Sequence, residues 1–117
     1  MSIKRIRSGA RMSQAVVHDG VVYLSGQVAP ADAGASVGAQ TKAVLEQIDR
    51  LLADAGTTKE HLLTASIWLA DMQAFDEMNA VWDRWIAPGC APARAAVEAR
   101  LASPAWQVEI AVTAALP

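Results

Sequence analysis

The chain has little of the chemistry that builds metal or disulfide sites. It contains one cysteine, Cys90, and two histidines, His18 and His61, in 117 residues. A single thiol cannot form an intrachain disulfide or a cysteine cluster for a metal, and such a composition is typical of the reducing cytoplasm. The histidines are far apart in sequence and have no clustered ligands beside them, so no metal site and no cofactor are predicted. No apolar run approaches the roughly 20 residues of a membrane-spanning helix, so no membrane contact is expected.

Excess charge is also lacking. The formal net charge is −2, which predicts no general affinity for nucleic acid. Arg5, Arg7 and Arg11 form a basic start to the chain. No aromatic residue alternates with them, so a solvated edge strand is favoured over an RNA surface. Hydrophobic residues, by contrast, make up 53% without counting glycine. This exceeds the usual fraction of about 45–50% and indicates that one subunit does not bury all of it.

The length predicts one domain over 1–117. Period-two alternation predicts strands, and apolar positions at helical spacing predict two helices. The strands are expected over 3–7, 14–18, 21–25 and 62–70, followed by the two described next, with Asp19-Gly20 as a tight turn between the second and third. The first helix is expected from an N-cap at Ser36 to a stop at Gly56, and the second from Asp71 to Pro88-Gly89.

The last two predicted strands, over 92–101 and 106–112, are separated by Ala102-Ser103-Pro104, and we expect them to form a hairpin. The register that keeps their apolar sides together pairs Val97 with Val108 and places Ala96 opposite Glu109. Arg94 would then lie diagonally from Glu109, within reach of its side chain. The sequence therefore predicts an arginine beside a carboxylate on one sheet face.

Two amphipathic helices can cover one face of a mixed sheet, which predicts a two-layer α+β domain. The other face would carry a mixture of side chains that is too apolar to be left exposed to water and too polar to form a sealed core. Its predicted members are Tyr23, Ser25, Thr64, Ser66, Trp68, Arg94 and Glu109. Packing against another subunit would resolve this conflict and would leave a pocket lined by Arg94 and Glu109 between subunits.

Several strings resemble the Rid/YjgF family, the reactive-intermediate deaminases that are also called L-PSP endoribonucleases. They are the residues 13–15, 23–27, 54–56, 75–79 and 92–110, which include Ser-Gly-Gln at 25–27 and Pro-Ala-Arg at 92–94. The resemblance implies a chorismate-mutase-like fold with a mixed six-stranded sheet and two helices on one face. It also implies a homotrimer with ligand sites at subunit interfaces, and cofactor-free hydrolysis of 2-imino or 2-enamino acids to 2-keto acids and ammonia.

The resemblance also implies roles for individual residues. Arg94 matches the arginine that binds the substrate carboxylate, and Glu109 the glutamate that orients the attacking water. The alternative for both is an ion pair that stabilises the sheet, and for Glu109 also a solvated carboxylate on a strand. Ser25 matches a pocket serine, with a strand-end hydroxyl bonded to backbone as the alternative. Asn79 matches a family asparagine that either reaches the pocket or bonds backbone near the subunit contact.

Three positions depart from the family pattern. Met12 stands where a tyrosine is usual, Ala96 where a cysteine is common, and Ala111 where a second acid often follows the conserved glutamate. The backbone carbonyl that helps to hold the water survives at Ala96. Two hypotheses therefore stand. The first is an imine or enamine hydrolase, favoured by the presence of both Arg94 and Glu109. The second is a module on the same fold that binds a carboxylate metabolite or a protein without turnover.

Overall fold

The computed structural model describes residues 2–117 and contains one sheet with two helices packed on one of its faces. The strands are β1 (Lys4–Ser8), β2 (Ser13–His18), β3 (Val21–Leu24), β4 (Gln27–Val28), β5 (Leu62–Leu69), β6 (Ala93–Glu98) and β7 (Val108–Ala115). The helices are α1 (Val37–Ala55) and α2 (Phe75–Trp85). The sheet order is β1-β2-β3-β7-β5-β6, and the short β4 pairs with β7. The predicted two-layer α+β architecture is confirmed, with β4 as one strand more than expected.

Local signals in the sequence set the ends of α1. The Ser36 hydroxyl accepts a hydrogen bond from the Ala39 N–H, which satisfies one of the free donors at the helix start. Gly56 ends the helix in the left-handed conformation, with φ of 93°, which glycine adopts at little cost. Both predicted caps are confirmed. One side of α1 is buried and supplies much of the core, including Val44, Leu45, Ile48, Leu51 and Leu52.

The second helix is fastened to the first at its start. Asp71 accepts from the Gln73 N–H and so caps a 3-10 turn, Met72–Ala74, that runs directly into α2. On α2 itself, Glu77 accepts a hydrogen bond of 2.8 Å from the Gly38 N–H at the start of α1. A carboxylate is favoured there because the N-terminal end of a helix is electropositive. This contact fixes α2 beside α1 on the sheet.

The β6–β7 hairpin predicted from the sequence is wrong. Strand β5 lies between β6 and β7, pairing in parallel with β6 and antiparallel with β7. The connection from β5 through α2 to β6 is a βαβ crossover, the usual way to join parallel neighbours. The segment that joins β6 to β7 therefore crosses the end of β5 instead of turning tightly. The turn predicted at Asp19-Gly20 is confirmed, with φ of 52° and 79° at these residues.

The two sheet faces differ in composition. The face toward the helices is a buried core that includes Val22, Ile67, Leu69, Ile110 and Val112. The other face, called the open face here, has no element of the chain packed over it among residues 2–117. It carries Tyr23, Ser66, Trp68, Val97 and Glu109, judged from the strand registers. Tyr23 and Val97 are each nearly half exposed, as the ambivalent composition of this face predicts.

Candidate functional site

Arg94 is an exposed arginine held in a defined orientation. It lies on β6 opposite the buried Ala65, so its side chain starts from the helix face at the sheet edge. Its Nη1 donates a hydrogen bond of 2.8 Å to Oδ1 of Asn79 on α2. The guanidinium carbon lies 5.3 Å from the ring centre of Trp82 and 5.9 Å from that of Phe75. Such distances allow a cation–π attraction.

This arrangement leaves Arg94 able to bind an anion. A guanidinium has five N–H donors, and Asn79 engages one of them. Arg94 also lines a cleft of about 330 Å³, together with Asn79, Trp82, Asp83, Ala91 and Pro92. The amide oxygen of Asn79 therefore accepts from the Arg94 guanidinium, and not from a backbone N–H.

Glu109 lies on the opposite face of the sheet. It stands on β7 between Trp68 of β5 and Val28 of β4, and it is half-buried. Its carboxylate packs on Gly26. A Cβ atom built on Gly26 would lie 2.9 Å from the carboxylate carbon and would overlap Oε2. Only glycine lets the carboxylate approach the backbone so closely at this position.

Gly26 belongs to a β-bulge between β3 and β4. Tyr23 pairs with Thr113 and Gln27 with Ile110, so the chain advances by four residues against three on β7. One extra residue of this kind bends the strand, and bulges are frequent beside functional sites. Here the bend falls at Ser25 and Gly26, the residues next to Glu109.

A chain of polar side chains fixes the bulge. The Ser25 hydroxyl donates to Oε1 of Gln14 at 3.0 Å. Nε2 of Gln27, a buried residue, donates to the same Gln14 oxygen and to the Ser25 hydroxyl, at 3.0 and 3.1 Å. Oε1 of Gln27 in turn accepts from Nε2 of Gln47 on α1. Buried amides that satisfy each other in this way rigidify the backbone they hold. The Ser25 hydroxyl thus bonds to the side chains of Gln14 and Gln27, and not to backbone as in its alternative interpretation.

Met12 and Gly26 both line a cleft of about 520 Å³ beside β4. Its side chain is nearly half exposed. Ala96, another position that departs from the family pattern, lies on the helix face opposite Ile67, and its side chain packs against the core.

The predicted contact between Arg94 and Glu109 is wrong within one chain. Arg94 is aligned with Ala65 and Glu109 with Trp68 on the intervening strand. Their backbones are therefore about 10 Å apart across the sheet and about 10 Å apart along it. Their side chains also start from opposite faces. The structure thus forms two clusters, one of Arg94, Asn79 and Trp82 and one of Glu109, Gly26 and Ser25, and no single chain joins them.

Metal-ligand groups and membrane-spanning helices are two further features that a site could depend on. Within residues 2–117, no group of three or more histidine, cysteine, aspartate or glutamate side chains is placed to hold a metal ion. No helix in that range combines the length and the apolar character needed to cross a membrane. Cys90 is a half-buried free thiol after α2.

Comparison with known proteins decides the family. The family model described as Endoribonuclease L-PSP matches residues 2–116. The chain belongs to the L-PSP family. The recognition of the Rid/YjgF group from short strings is thereby confirmed, since the relatives carry the RutC and YjgF names of the same family.

The relatives of this L-PSP protein cover its whole length. A RutC family protein of Haemophilus ducreyi is 46% identical over 114 residues, which is 97% of each chain. The RutC family protein YoaB of Escherichia coli is 40% identical over 116 residues, or 99% of this chain and all of YoaB. A crystal structure of a YjgF family member from Neisseria meningitidis superposes with a TM-score of 0.96 at 49% identity, covering 100% of this chain and 97% of that one. The α+β, chorismate-mutase-like fold implied by the sequence strings is confirmed.

Several residues of the two clusters escape sequence reasoning. Trp82 is buried in the core, and its ring also supports the Arg94 guanidinium. The role of Gly26 depends on the bulge, and so does the hydrogen bond between Gln14 and Gln27. One signal was available in Gln27, a glutamine directly after Ser25-Gly26, because a buried amide at a strand break is unusual in a sheet.

Proposed function

We propose that this L-PSP family protein hydrolyses 2-imino and 2-enamino acids to 2-keto acids and ammonia, without a cofactor, in a pocket between the subunits of a homotrimer. Arg94 binds the substrate carboxylate, and Glu109 orients the attacking water. The observation that carries the proposal is the orientation of Arg94. Its exposed guanidinium is held by Asn79 and Trp82, and Asn79 engages one of its five N–H donors. A planar guanidinium that is fixed and partly unpaired suits bidentate binding of a carboxylate.

The separation of the two clusters supports a pocket built from two chains. Arg94 lies on the edge strand β6 and on the helix face, whereas Glu109 lies on β7 and on the open face. Strand β5 separates the two. A second copy that covers the open face would bring its own edge strand toward the Glu109 cluster. The substrate would then contact Arg94 and Asn79 of one subunit and Glu109, Ser25 and Met12 of its neighbour. The nearly half-exposed Tyr23 and Val97 would be buried in the same contact.

The chemistry needs only water and a positioned base. The Glu109 carboxylate accepts a proton from water as the oxygen attacks the imine carbon, and the carbonyl of Ala96 helps to hold that water. The imine nitrogen gains a proton from solvent as the C=N bond opens, which gives an amino alcohol. Ammonia leaves when the proton held by Glu109 passes to this nitrogen and the hydroxyl proton is released to solvent, so that the C–N bond breaks as the C=O bond of the keto acid forms. An enamine first gains a proton on carbon and becomes the imine. A positioned acid–base group contributes about 10²–10⁴-fold in rate.

A coupled assay tests the proposal. An amino-acid oxidase generates the imine, and keto-acid release is followed with and without the protein. Arg94→Ala should abolish the acceleration while the oligomer persists, and Arg94→Lys should rescue it poorly because a point charge cannot make two parallel hydrogen bonds. Arg84→Ala, which removes an exposed arginine from the last turn of α2, is the matched control. Turnover by Arg94→Ala at the parental rate would refute the role of Arg94. Carboxylate binding without any turnover by the parent would instead identify a binding module.

A further inference from the structure

We propose that the cleft beside β4 binds a second anionic group, so that the preferred substrates carry a side chain ending in a carboxylate. This inference rests on the proposed function and names its substrate class. Met12 and residues of α1 line this cleft, and Gly26, which contacts the Glu109 carboxylate, is the residue that the cleft shares with the Glu109 cluster.

The lining of this cleft suits an anion. Its side chains include two arginines and three glutamines, and none of them is acidic. The full set is Arg7, Met12, Gln14, Gly26, Gln27, Val28, Gln47, Arg50 and Leu51. Asp54, just outside the lining, pairs with Arg7 at 2.7 Å. Two guanidinium groups against one carboxylate leave a net positive charge at the cleft.

The bonds within the bulge orient one amide donor toward this space. Oε1 of Gln14 accepts hydrogen bonds from both the Ser25 hydroxyl and Gln27 Nε2. These two donors fix which end of the amide is oxygen, so Nε2 of Gln14 must point away from them. Nε2 has no acceptor among residues 2–117, and Gln14 lines the cleft. The amide therefore offers N–H donors to a ligand.

The backbone at Arg7 adds a second observation. Arg7, the last residue but one of β1, has φ of 51°, a left-handed conformation that is costly for a residue with a side chain. On a regular strand its side chain would alternate with Ile6, which packs against the core, and would point to the open face. Instead its guanidinium reaches Asp54 on α1, on the helix side. The unusual backbone thus holds a cation at the cleft.

Arg50 supplies a second cation without an acidic partner. It is exposed on α1, one turn before Asp54, and within residues 2–117 the ion pair between Arg7 and Asp54 is the only one formed. A carboxylate entering the cleft therefore meets an unneutralised guanidinium. Met12, on the opposite wall, can contact the methylene groups that lead to that carboxylate. A glutamate-type side chain matches this arrangement, because its methylene groups come first and its carboxylate stands at the end.

The test compares two ligands of equal chain length. Calorimetry with 2-oxoglutarate and 2-oxopentanoate measures product binding, and the coupled assay with the imines of glutamate and norvaline measures turnover. We expect the dicarboxylic ligand to bind about tenfold tighter, and the preference to weaken with added salt. Arg50→Ala should reduce the preference to about equal binding, and Arg50→Glu should reverse it. Arg84→Ala, an exposed arginine on α2, should leave the preference as in the parent.

The outcomes separate this inference from the proposed function. A parent that hydrolyses both imines with equal kcat/KM, and binds both keto acids equally, overturns the inference and leaves the function standing. A preference that survives in both Arg50 variants also overturns it, because the cation would then lie elsewhere. If no imine is turned over but 2-oxoglutarate binds preferentially and this depends on Arg50, the anion site stands and the proposed hydrolysis fails. Since Arg50 is exposed, neither substitution is expected to unfold the chain.

Discussion

At the scale of single residues, Gly26 is the position where a single methyl group has the largest expected effect on the proposed activity. A Cβ there would overlap the Glu109 carboxylate. We expect Gly26→Ala to move Glu109 and to lower kcat/KM at least tenfold, because a misplaced base loses much of its rate contribution. The measurement is the coupled assay together with a thermal melt. Gly9→Ala is the control, since a Cβ on Gly9 meets its nearest neighbour at an ordinary 3.8 Å. If Gly26→Ala keeps parental activity, Glu109 does not act from this position.

Met12 is one of the residues at which the chain departs from the pattern of its family. Its thioether is flexible and apolar, whereas a tyrosine would present a rigid ring and a hydroxyl. We expect imines of leucine or methionine type to be preferred over 2-aminoacrylate, since each buried methylene contributes about 0.8 kcal/mol. Met12→Tyr should shift the kcat/KM ratio toward the small substrate. An unchanged ratio would mean that Met12 does not touch the substrate.

Asn79 has a role that can be separated from simple packing. Because its amide oxygen accepts from Arg94, Asn79→Asp would place a carboxylate against the guanidinium in similar geometry. This carboxylate would compete with that of the substrate, and we expect KM to rise about tenfold or more, with a smaller change in kcat. Asn79→Ala, which removes the hydrogen bond without adding charge, should raise KM less. Equal effects of the two substitutions on KM would show that Asn79 acts on the site only through packing.

At the scale of elements, the sequence predicts which residues form each strand and helix better than it predicts which strands pair with each other. Caps at Ser36 and Gly56 and the turn at Asp19-Gly20 are local, so local residues determine them. Alternation in β6 and β7 shows that each is a strand with two faces, but it carries no information about which strand lies beside which. The β5-α2-β6 order could have indicated a parallel crossover, which excludes the predicted hairpin.

The face of β6 was also misassigned, for a physical reason. Val97 seemed to belong to the core and Arg94 to the exterior, yet Val97 is on the open face and Arg94 on the helix face. An edge strand is only partly covered by α2, so the helix face can accept a guanidinium when aromatic rings and an amide hold it. Arg94 and Glu109 were therefore identified from their motif, while their arrangement could not be obtained from spacing.

At the scale of the whole molecule, the open face is the feature that a single chain leaves unexplained. It carries Trp68 and Glu109 beside the nearly half-exposed Tyr23 and Val97, with nothing of residues 2–117 packed over it. Monomeric proteins seldom expose such a face, and the two clusters of the proposed site also require a second chain.

We therefore expect sedimentation equilibrium at micromolar concentration to give about three times the chain mass of 12.4 kDa. Tyr23→Asp should shift the protein toward monomer and abolish imine hydrolysis, because a charge would be buried in the contact and the two clusters would separate. Ala53→Asp, which adds the same charge on the exposed side of α1, should leave the trimer intact. A parent that sediments as a folded monomer and still hydrolyses imines would refute the shared pocket, because Arg94 and Glu109 would then have to act on one substrate from opposite faces of the same sheet.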